Sequence, residues 1–463
     1  MHSSLTNATQ WATREFSEAQ LGDKRRTKRL VKIASLLATR PSGTLPPAIK
    51  ELKDIKGAYD FLSTHAVTRE KVIAPHVQHT RELLGQPGEY LQIEDTTLLD
   101  FSMHFAAKGL GRIGDDDGRG LNLHTTLALR VNAWIGNRPQ VEIVGLSGQH
   151  CWARTDSPHK GRESKHQRLQ RARESQRWAQ AIAETDGPPP GCQWTYIADR
   201  ESDIYEVFDR CLERRVAFII RANQPRALLN EGESVFKAVA AAPCRGTYHV
   251  HLRARPRQPA RTAMVEVRAI RMRLRPPWRP DKRLEPLALN AVEAKEIGAP
   301  AGATPIHWVL LTTWPCDTLD QMLRVIATYA KRWLIEEYHK ALKTGTQAEK
   351  SQLATAQRLQ SLLGILSIVA LRLLCLKLLV EIEPDQPVAW DETTQAIQTV
   401  LSATVGTPKG GWTNRTLLIS VAKLGGFLGR KSDGNPGWIT LWRGVKELVL
   451  LVQGYDIAGA SPK

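Results

Sequence analysis

Between Glu89 and Ala222 the hydrophobic pattern switches repeatedly between a period of two and a helical period. The order of those switches limits the fold more than any other feature. YLQIEDTTLLDF places Leu91, Ile93, Asp95, Thr97 and Leu99 on one face of a strand. LHTTLALRVNAW and VEIVGLSGQHCW give two more strands, joined by the turn IGNRPQ. ESKHQRLQRARESQRWAQAIAE then reads as a basic helix, ended by the breaker GPPPG. CQWTYIADR predicts a fourth strand, DIYEVFDRCLERR a helix and VAFIIRA a fifth strand. Three consecutive strands followed by helix, strand, helix, strand is a ribonuclease-H-like order: an α/β fold with a mixed sheet and helices packed over it.

The flanks differ. Residues 1–70 read as a helical domain, with Leu30, Ile33, Ala34 and Leu37 at helical spacing. PSG and LPP then break the chain before a second short helix through Tyr59 and Phe61. Within the catalytic stretch 71–375, residues 235–304 leave the pattern: Pro- and Arg-rich pieces separate short β-like segments, which predicts a mainly antiparallel β insertion set apart from the sheet. The sheet pattern resumes at IHWVLLTTWP, and one long helix is expected from Leu319 to Lys343. Residues 376–463 form a smaller, helical end.

At 463 residues the chain is too long for one core and fits several units. Its net charge of +17 points to a polyanionic partner, most simply nucleic acid. An inert basic surface is the alternative, but three runs concentrate the charge: KRRTKR at Lys24–Arg29, the stretch Lys160–Arg177 and the stretch Arg253–Lys282. Trp152, Trp178 and Trp278 interleave with them, as a DNA-tracking surface requires. MHSSLTNATQ lacks a signal-peptide pattern, so an intracellular protein is expected. No apolar run reads as a membrane span. The longest, around Leu362–Val380, is interrupted by Ser367, Arg372 and Lys377 and suits a buried helix. The six cysteines are scattered singly, which supports neither a zinc knuckle nor a disulfide framework.

Two residues in the strand pattern need explaining. Asp95 sits mid-strand among apolar neighbours, where an unpaired carboxylate is costly. A solvated edge-strand aspartate explains it equally well. Asp199 repeats the situation at the end of the fourth strand, where ligand-binding groups of α/β sheets gather. The long helix is more specific. Tyr329, Arg332, Glu336, Lys340 and Lys343 fall on one helical face, beside an apolar stripe of Leu323, Ile326, Ala330, Trp333 and Leu334. A surface helix laced by pairs such as Glu336–Lys340, each worth ~0.2–0.5 kcal/mol, is the bland reading. Converging carboxylates suit phosphodiester chemistry, in which two metal ions roughly 3.5–4 Å apart clamp the attacking and leaving oxygens.

The chain resembles bacterial cut-and-paste DDE transposases of insertion sequences, the group with a Tyr-Arg-Glu-Lys motif. The resemblance rests on LGDKRRTKRL, GAYDFL, IEDTT, ADRESDIY, RANQPR, HWVLLTT, YAKRWLIEEYHKALKTG and LGGFLGRK, which span nearly the whole chain. It implies that Asp95, Asp199 and Glu336 hold divalent metal, Mg2+ with Mn2+ able to substitute. Tyr329, Arg332, Glu336 and Lys343 match the motif in register, with Arg332 and Lys343, and Lys340 beside them, against DNA phosphates. Arg221 matches a DNA-contacting arginine. Asn223 replaces the lysine usual two residues further on, which removes one backbone contact. Trp308 matches the tryptophan that receives a flipped base; a core tryptophan is the simpler reading. Arg25, Arg26 and Lys28 fall in the element-end-binding domain, and the C-terminal segment would form a homodimer.

The function implied is metal-dependent cleavage and strand transfer on double-stranded DNA, both inverted-repeat ends and target, by a cut-and-paste route through a hairpin. The implied setting is the bacterial cytoplasm, with no membrane partner. A ribonuclease-H-like nuclease without strand transfer and a silent DNA-binding regulator are the alternatives. Other residues carry no site: His124, His150, His159 and His166 lack zinc spacing, Asp115–Asp117 fit a solvated turn, and Glu337 reads as a salt-bridge residue.

Overall fold

The computed structural model describes residues 8–114, 118–154, 176–229, 233–252, 261–279, 282–382, 384–390, 394–430 and 433–459. The expectations for Asp115–Asp117, His159 and His166 lie outside these residues. So do residues 155–175 of the predicted basic helix and of the run Lys160–Arg177, and residues 253–260 and 280–281 of the run Arg253–Lys282.

The chain opens with helices α1 (Ala8–Phe16), α2 (Lys24–Thr39), α3 (Leu52–Ser63) and α4 (Arg69–Leu84). Asp23 caps α2 by accepting from the Arg25 amide at 2.8 Å. Leu30, Ile33, Ala34 and Leu37 are all buried, as their spacing predicts. Asp54 on α3 ties the two helices together through Arg29 at 3.0 Å and Lys32 at 2.6 Å.

The strands are β1 (Gly88–Asp100), β2 (Gly111–Ile113), β3 (Gly118–Ile135), β4 (Arg138–Trp152), β5 (Cys192–Ala198), β6 (Ala217–Arg221), β7 (Gly246–Leu252), β8 (Arg261–Leu274), β9 (Leu287–Glu296) and β10 (His307–Thr312). Helices α5 (Gln176–Ala183), α6 (Tyr205–Glu213) and α7 (Val235–Ala241) intervene in the chain, and the strands form one sheet in the order β2-β3-β1-β5-β6-β10-β9-β8-β7, with β4 also on β3. Strands β3 and β1 are antiparallel, whereas β1, β5 and β6 run parallel. This is the mixed ribonuclease-H-like core expected from the strand order.

The insertion is antiparallel as expected, but it is not set apart. β10 pairs with β6 on one edge and β9 on the other, so β9, β8 and β7 extend the central sheet. Their partners lie far away in sequence, and no local pattern reveals such pairing.

The expected single helix Leu319–Lys343 is also corrected. It consists of α8 (Leu319–Tyr329), a 3-10 turn at Ala330–Arg332, α9 (Trp333–Lys340) and a π turn at Ala341–Gly345. Thr346 N–H reaches the Ala341 carbonyl at 2.9 Å across the π turn. Gly345 lets neighbours close on that turn: an added Cβ would meet Leu373 Cδ1 at 3.2 Å and Trp438 at 3.9 Å.

Helix α10 (Ala356–Ile382) runs through the core. By length and a mean hydropathy of 2.1, its segment Ala356–Leu378 could cross a membrane, which the sequence reading did not allow. Its most apolar stretch is 72% buried by the rest of the chain, so it is a core helix despite Arg372 and Lys377. Helices α11 (Gln395–Val405), α12 (Asn414–Leu424) and α13 (Trp438–Gly459) form a small core of their own around Leu401, Trp412 and Val421. Gly425 and Gly444 allow α12 and α13 to touch: a Cβ on either would lie within 2 Å of a backbone oxygen. This explains the first glycine of LGGFLGRK; the second, Gly426, has a positive φ of 91°. All six cysteines are free thiols.

Candidate active site

Strands β1 and β5 lie side by side with Glu94 opposite Ala198, so Asp95, midway along β1, neighbours Asp199, the residue that follows the end of β5. Alternation sends Asp95 to the face of Leu91 and Ile93 and sends Glu94 to the other. Glu94 is itself buried and fully engaged by Thr126, Tyr196 and His124 at 2.8, 2.8 and 3.1 Å. Asp95 is less well served. One oxygen accepts from the Thr96 amide at 2.9 Å, and the side chain is only 16% exposed. Burial pushes its carboxyl up to about 7; Arg332 opposes this, and the negative charges of Asp199 and Glu201 reinforce it. Asp199 caps the 3-10 turn Arg200–Ser202, accepting from the Glu201 amide at 2.8 Å.

Arg332 joins the third acid to this pair. Its Nη1 is 3.7 Å from Asp95 Oδ2, and its Nη2 donates to Glu336 Oε1. Burial disfavours the guanidinium charge, but Tyr329, Glu336, Asp95 and Asp199 together hold its pKa above the usual value. The 3-10 turn places Arg332 here, beside α9, which carries Glu336.

His339 was not singled out from the sequence. It is buried, with Nδ1 3.9 Å from Asp95 Oδ2 and Nε2 without a partner. Burial, then Lys343, His124 and Arg332, push the ring down to about 3, so it is neutral at physiological pH. A histidine three residues after a candidate acid on a helix was the available signal.

Among the described residues, no three acidic, histidine or cysteine side chains already stand close enough to cage an ion. The donor chemistry nevertheless fits a hard divalent cation. Asp95 carries an uncompensated desolvation cost beside Asp199, and Glu336 is reached through the same arginine.

A second wall adjoins the acids. Arg221, at the end of β6, donates to the His307 carbonyl at 2.9 Å; burial lowers its pKa, and Tyr329, Arg200 and Arg332 surround it. Trp308 is half-buried, edge-on to Tyr329 with ring centres 5.2 Å apart. It is neither a sealed core residue nor a free one.

The remaining residues sit elsewhere. Lys343, on the π turn, is 3.7 Å from Glu349. Lys340 is exposed and donates to Glu337 at 2.8 Å, not to the acid cluster. Arg25 and Lys28 are exposed on α2, and Arg26 donates to the Leu21 carbonyl at 2.9 Å.

Asp203 is a further residue missed in the sequence. It is buried and organises the RANQPR loop, accepting from the Asn223 and Gln224 amides at 2.6 and 2.7 Å and from Arg226 Nε at 2.6 Å.

Three family descriptions match successive parts of the chain. Transposase DNA-binding matches residues 8–67, transposase DDE domain residues 192–372, and transposase Tn5 dimerisation domain residues 391–461. The chain belongs to the DDE transposases. The transposase thus joins a DNA-binding region to a DDE catalytic region and a dimerisation region, and it acts on DNA as a homodimer. Asp95 precedes the stretch matched by the DDE description, so its place in the site rests on strand register beside Asp199.

Proposed function

We propose that this transposase excises and inserts DNA by a cut-and-paste route in which Asp95, Asp199 and Glu336 hold two divalent cations, Mg2+ or Mn2+. The observation that supports the reading is the register of Asp95 beside Asp199, together with the contacts of one arginine, Arg332, to Asp95 and Glu336. Bound cations would relieve charge at phosphorus and lower the pKa of a coordinated water.

The residues divide the work. Asp95 on β1 and Asp199 just after β5 would supply a carboxylate pair, with Glu336 on α9 as the third ligand. Arg332 neutralises the acids in the DNA-free protein and can exchange a carboxylate for a phosphate oxygen. Arg221 and Lys343 add cationic contacts for the cleaved strand, while Trp308 and Tyr329 offer an aromatic seat for an extruded base.

On DNA, water attacks phosphorus at the element end and the bond to the 3′ oxygen breaks, leaving a 3′-hydroxyl. That hydroxyl would attack the opposite strand's phosphodiester, releasing the flanking DNA's 3′ oxygen and closing a hairpin; water would hydrolyse the hairpin back to a 3′-hydroxyl, which would then attack a target phosphodiester and release the target's 3′ oxygen. DNA places the working protein in the cytoplasm, at the nucleoid.

Asp95→Ala, Asp199→Ala and Glu336→Ala are each expected to abolish Mg2+-dependent cleavage of inverted-repeat DNA while leaving gel-shift binding intact. Substantial cleavage by any one of them would reject the metal-ligand set. Strand transfer from precut ends by the wild type separates transposition from simple nuclease action.

A further inference from the structure

Glu337 follows the proposed ligand Glu336 on α9, about 100° further round the helix, and is buried in the protein. Its carboxylate is nearly buried and receives three donors from three parts of the chain. Lys340 on the same helix donates to Oε1 at 2.8 Å. Lys377 on the core helix α10 donates to Oε2 at 2.5 Å, and the indole N–H of Trp438, the first residue of α13, donates to the same oxygen at 3.0 Å. Lys377 also lies 4.6 Å from the centre of the Trp438 ring.

Two of the three donors are lysine ammonium groups, so Glu337 is a buried carboxylate paired with cations on two sides. A buried ion pair is a poor source of stability, because desolvating both ions offsets most of their attraction. Directional bonds from three elements do fix geometry. Trp438 also packs beside Gly345, on the π turn that carries Lys343. One C-terminal side chain thus touches both ends of the segment bearing Glu336 and Lys343.

We propose that Glu337 is a positioning residue through which Trp438 and Lys377 set the orientation of Glu336 toward Asp95 and Asp199. The dimerisation region therefore completes the metal-binding side of the catalytic helix in addition to joining two protomers. The proposal rests on Glu336 being the third metal ligand. It also explains why two adjacent glutamates differ so sharply in surroundings: one is half-exposed beside Arg332, the other clamped from three sides.

The test uses full-length protein bound to inverted-repeat DNA, with Mn2+ as the probe. Mn2+ binding is read by electron paramagnetic resonance, cleavage as a function of Mn2+ concentration, DNA binding by gel shift and folding by thermal melting. Trp438→Phe and Lys377→Met are expected to raise half-saturating Mn2+ about tenfold in both the resonance and cleavage titrations, the usual scale for losing a residue that orients a metal ligand. DNA binding should not change, and excess Mn2+ should restore cleavage. Glu337→Gln, which keeps shape and acceptor, should lie between the wild type and Glu337→Ala. Unchanged Mn2+ half-saturation in folded Trp438→Phe and Lys377→Met would overturn the proposal, whatever their melting temperatures, and would decide the matter if Glu337→Ala failed to fold. Glu336→Gln serves as the parent control. If it still cuts, the ligand assignment fails; if it is inactive while the other variants bind Mn2+ normally, only the positioning role fails.

Discussion

The Arg332 guanidinium lies 3.7 Å from the Asp95 carboxylate, although 237 positions separate the two residues in the chain. The same guanidinium also donates to Glu336. Without DNA, one cation therefore offsets two acids from different elements, which limits the repulsion that Asp95, Asp199 and Glu336 would otherwise feel. Under the proposed function, arriving phosphates would give that arginine a competing partner and leave the acids to divalent ions.

Asp95 makes the metal-free site sensitive to pH. Burial raises its pKa from 3.8 to about 7, so the folded state holds a proton that the unfolded chain has already lost. The stability contribution of this group is therefore highest below about pH 4 and declines as pH rises through about 7. Metal-free Asp95→Asn is expected to be more stable than the wild type at pH 8, by about 1–4 kcal/mol, with the gap closing toward pH 4. Denaturant titrations at both pH values measure this; equal stabilities at pH 8 would refute it. Divalent-ion affinity should fall with pH below about 7, because the ligand must be ionised.

Under the proposed hairpin route, Trp308 should separate the two strand breaks. Trp308→Ala is expected to nick the first strand near the wild-type rate and to form hairpins about 5- to 100-fold more slowly, the equivalent of one lost base stack. Resolving nicked and hairpin products on denaturing gels measures both steps. An abasic site at the extruded position should narrow the difference, since it leaves no base to seat.

The first turn of α2 carries Lys24, Arg25 and Arg26 with no acid among them, although cations oppose the helix dipole there. Binding to DNA phosphates gives such an arrangement a use. Arg25→Ala and Lys28→Ala are each expected to flatten the slope of log affinity against log salt by about 1. Arg26 is tied to the Leu21 carbonyl, so Arg26→Ala should also lower the melting temperature. Unchanged salt slopes would remove Arg25 and Lys28 from the DNA interface.

On α13, Ile439, Leu450 and Ile457 are 56%, 54% and 74% exposed. Their spacing puts them within about 20° of one another around the helix. Covering this apolar stripe is the natural task of the dimer contact. Leu450→Glu with Ile457→Glu is expected to weaken dimerisation at least tenfold, since each lost apolar burial costs about 1.5–3 kcal/mol, while leaving the melting temperature near that of the wild type. Sedimentation velocity on DNA-bound protein checks it. Intact dimers would move the interface to another face.

Much of the site was legible because two-residue alternation is a strong local signal. It placed Asp95 on the core face of β1 and Asp199 at a strand end, and parallel pairing then made them neighbours. Glu337 was likewise recognised as an ion-pair residue, though not its Trp438 partner. Helical periodicity failed beyond Tyr329: a 3-10 turn and a π turn change the angular step, and neither leaves a mark in residue spacing. Lys340, within the regular helix α9, pairs with Glu337 three residues back and not with Glu336. The union of the insertion with the sheet was equally hidden, because strand pairing between distant segments is decided by tertiary packing. His339 and Asp203 were overlooked because their importance comes from burial and partners, which only the folded chain reveals.

The unbroken ladder from β1 through β10 to β9 has a mechanical consequence. Trp308 and Asp95 are mounted on the same sheet, so a base seated at Trp308, as proposed, would keep a fixed span from a phosphate cut beside Asp95. The insertion then behaves as a cantilever and not a flap, and adaptation to different DNA geometries falls to the nucleic acid or to the helical segments around Arg332 and Lys343.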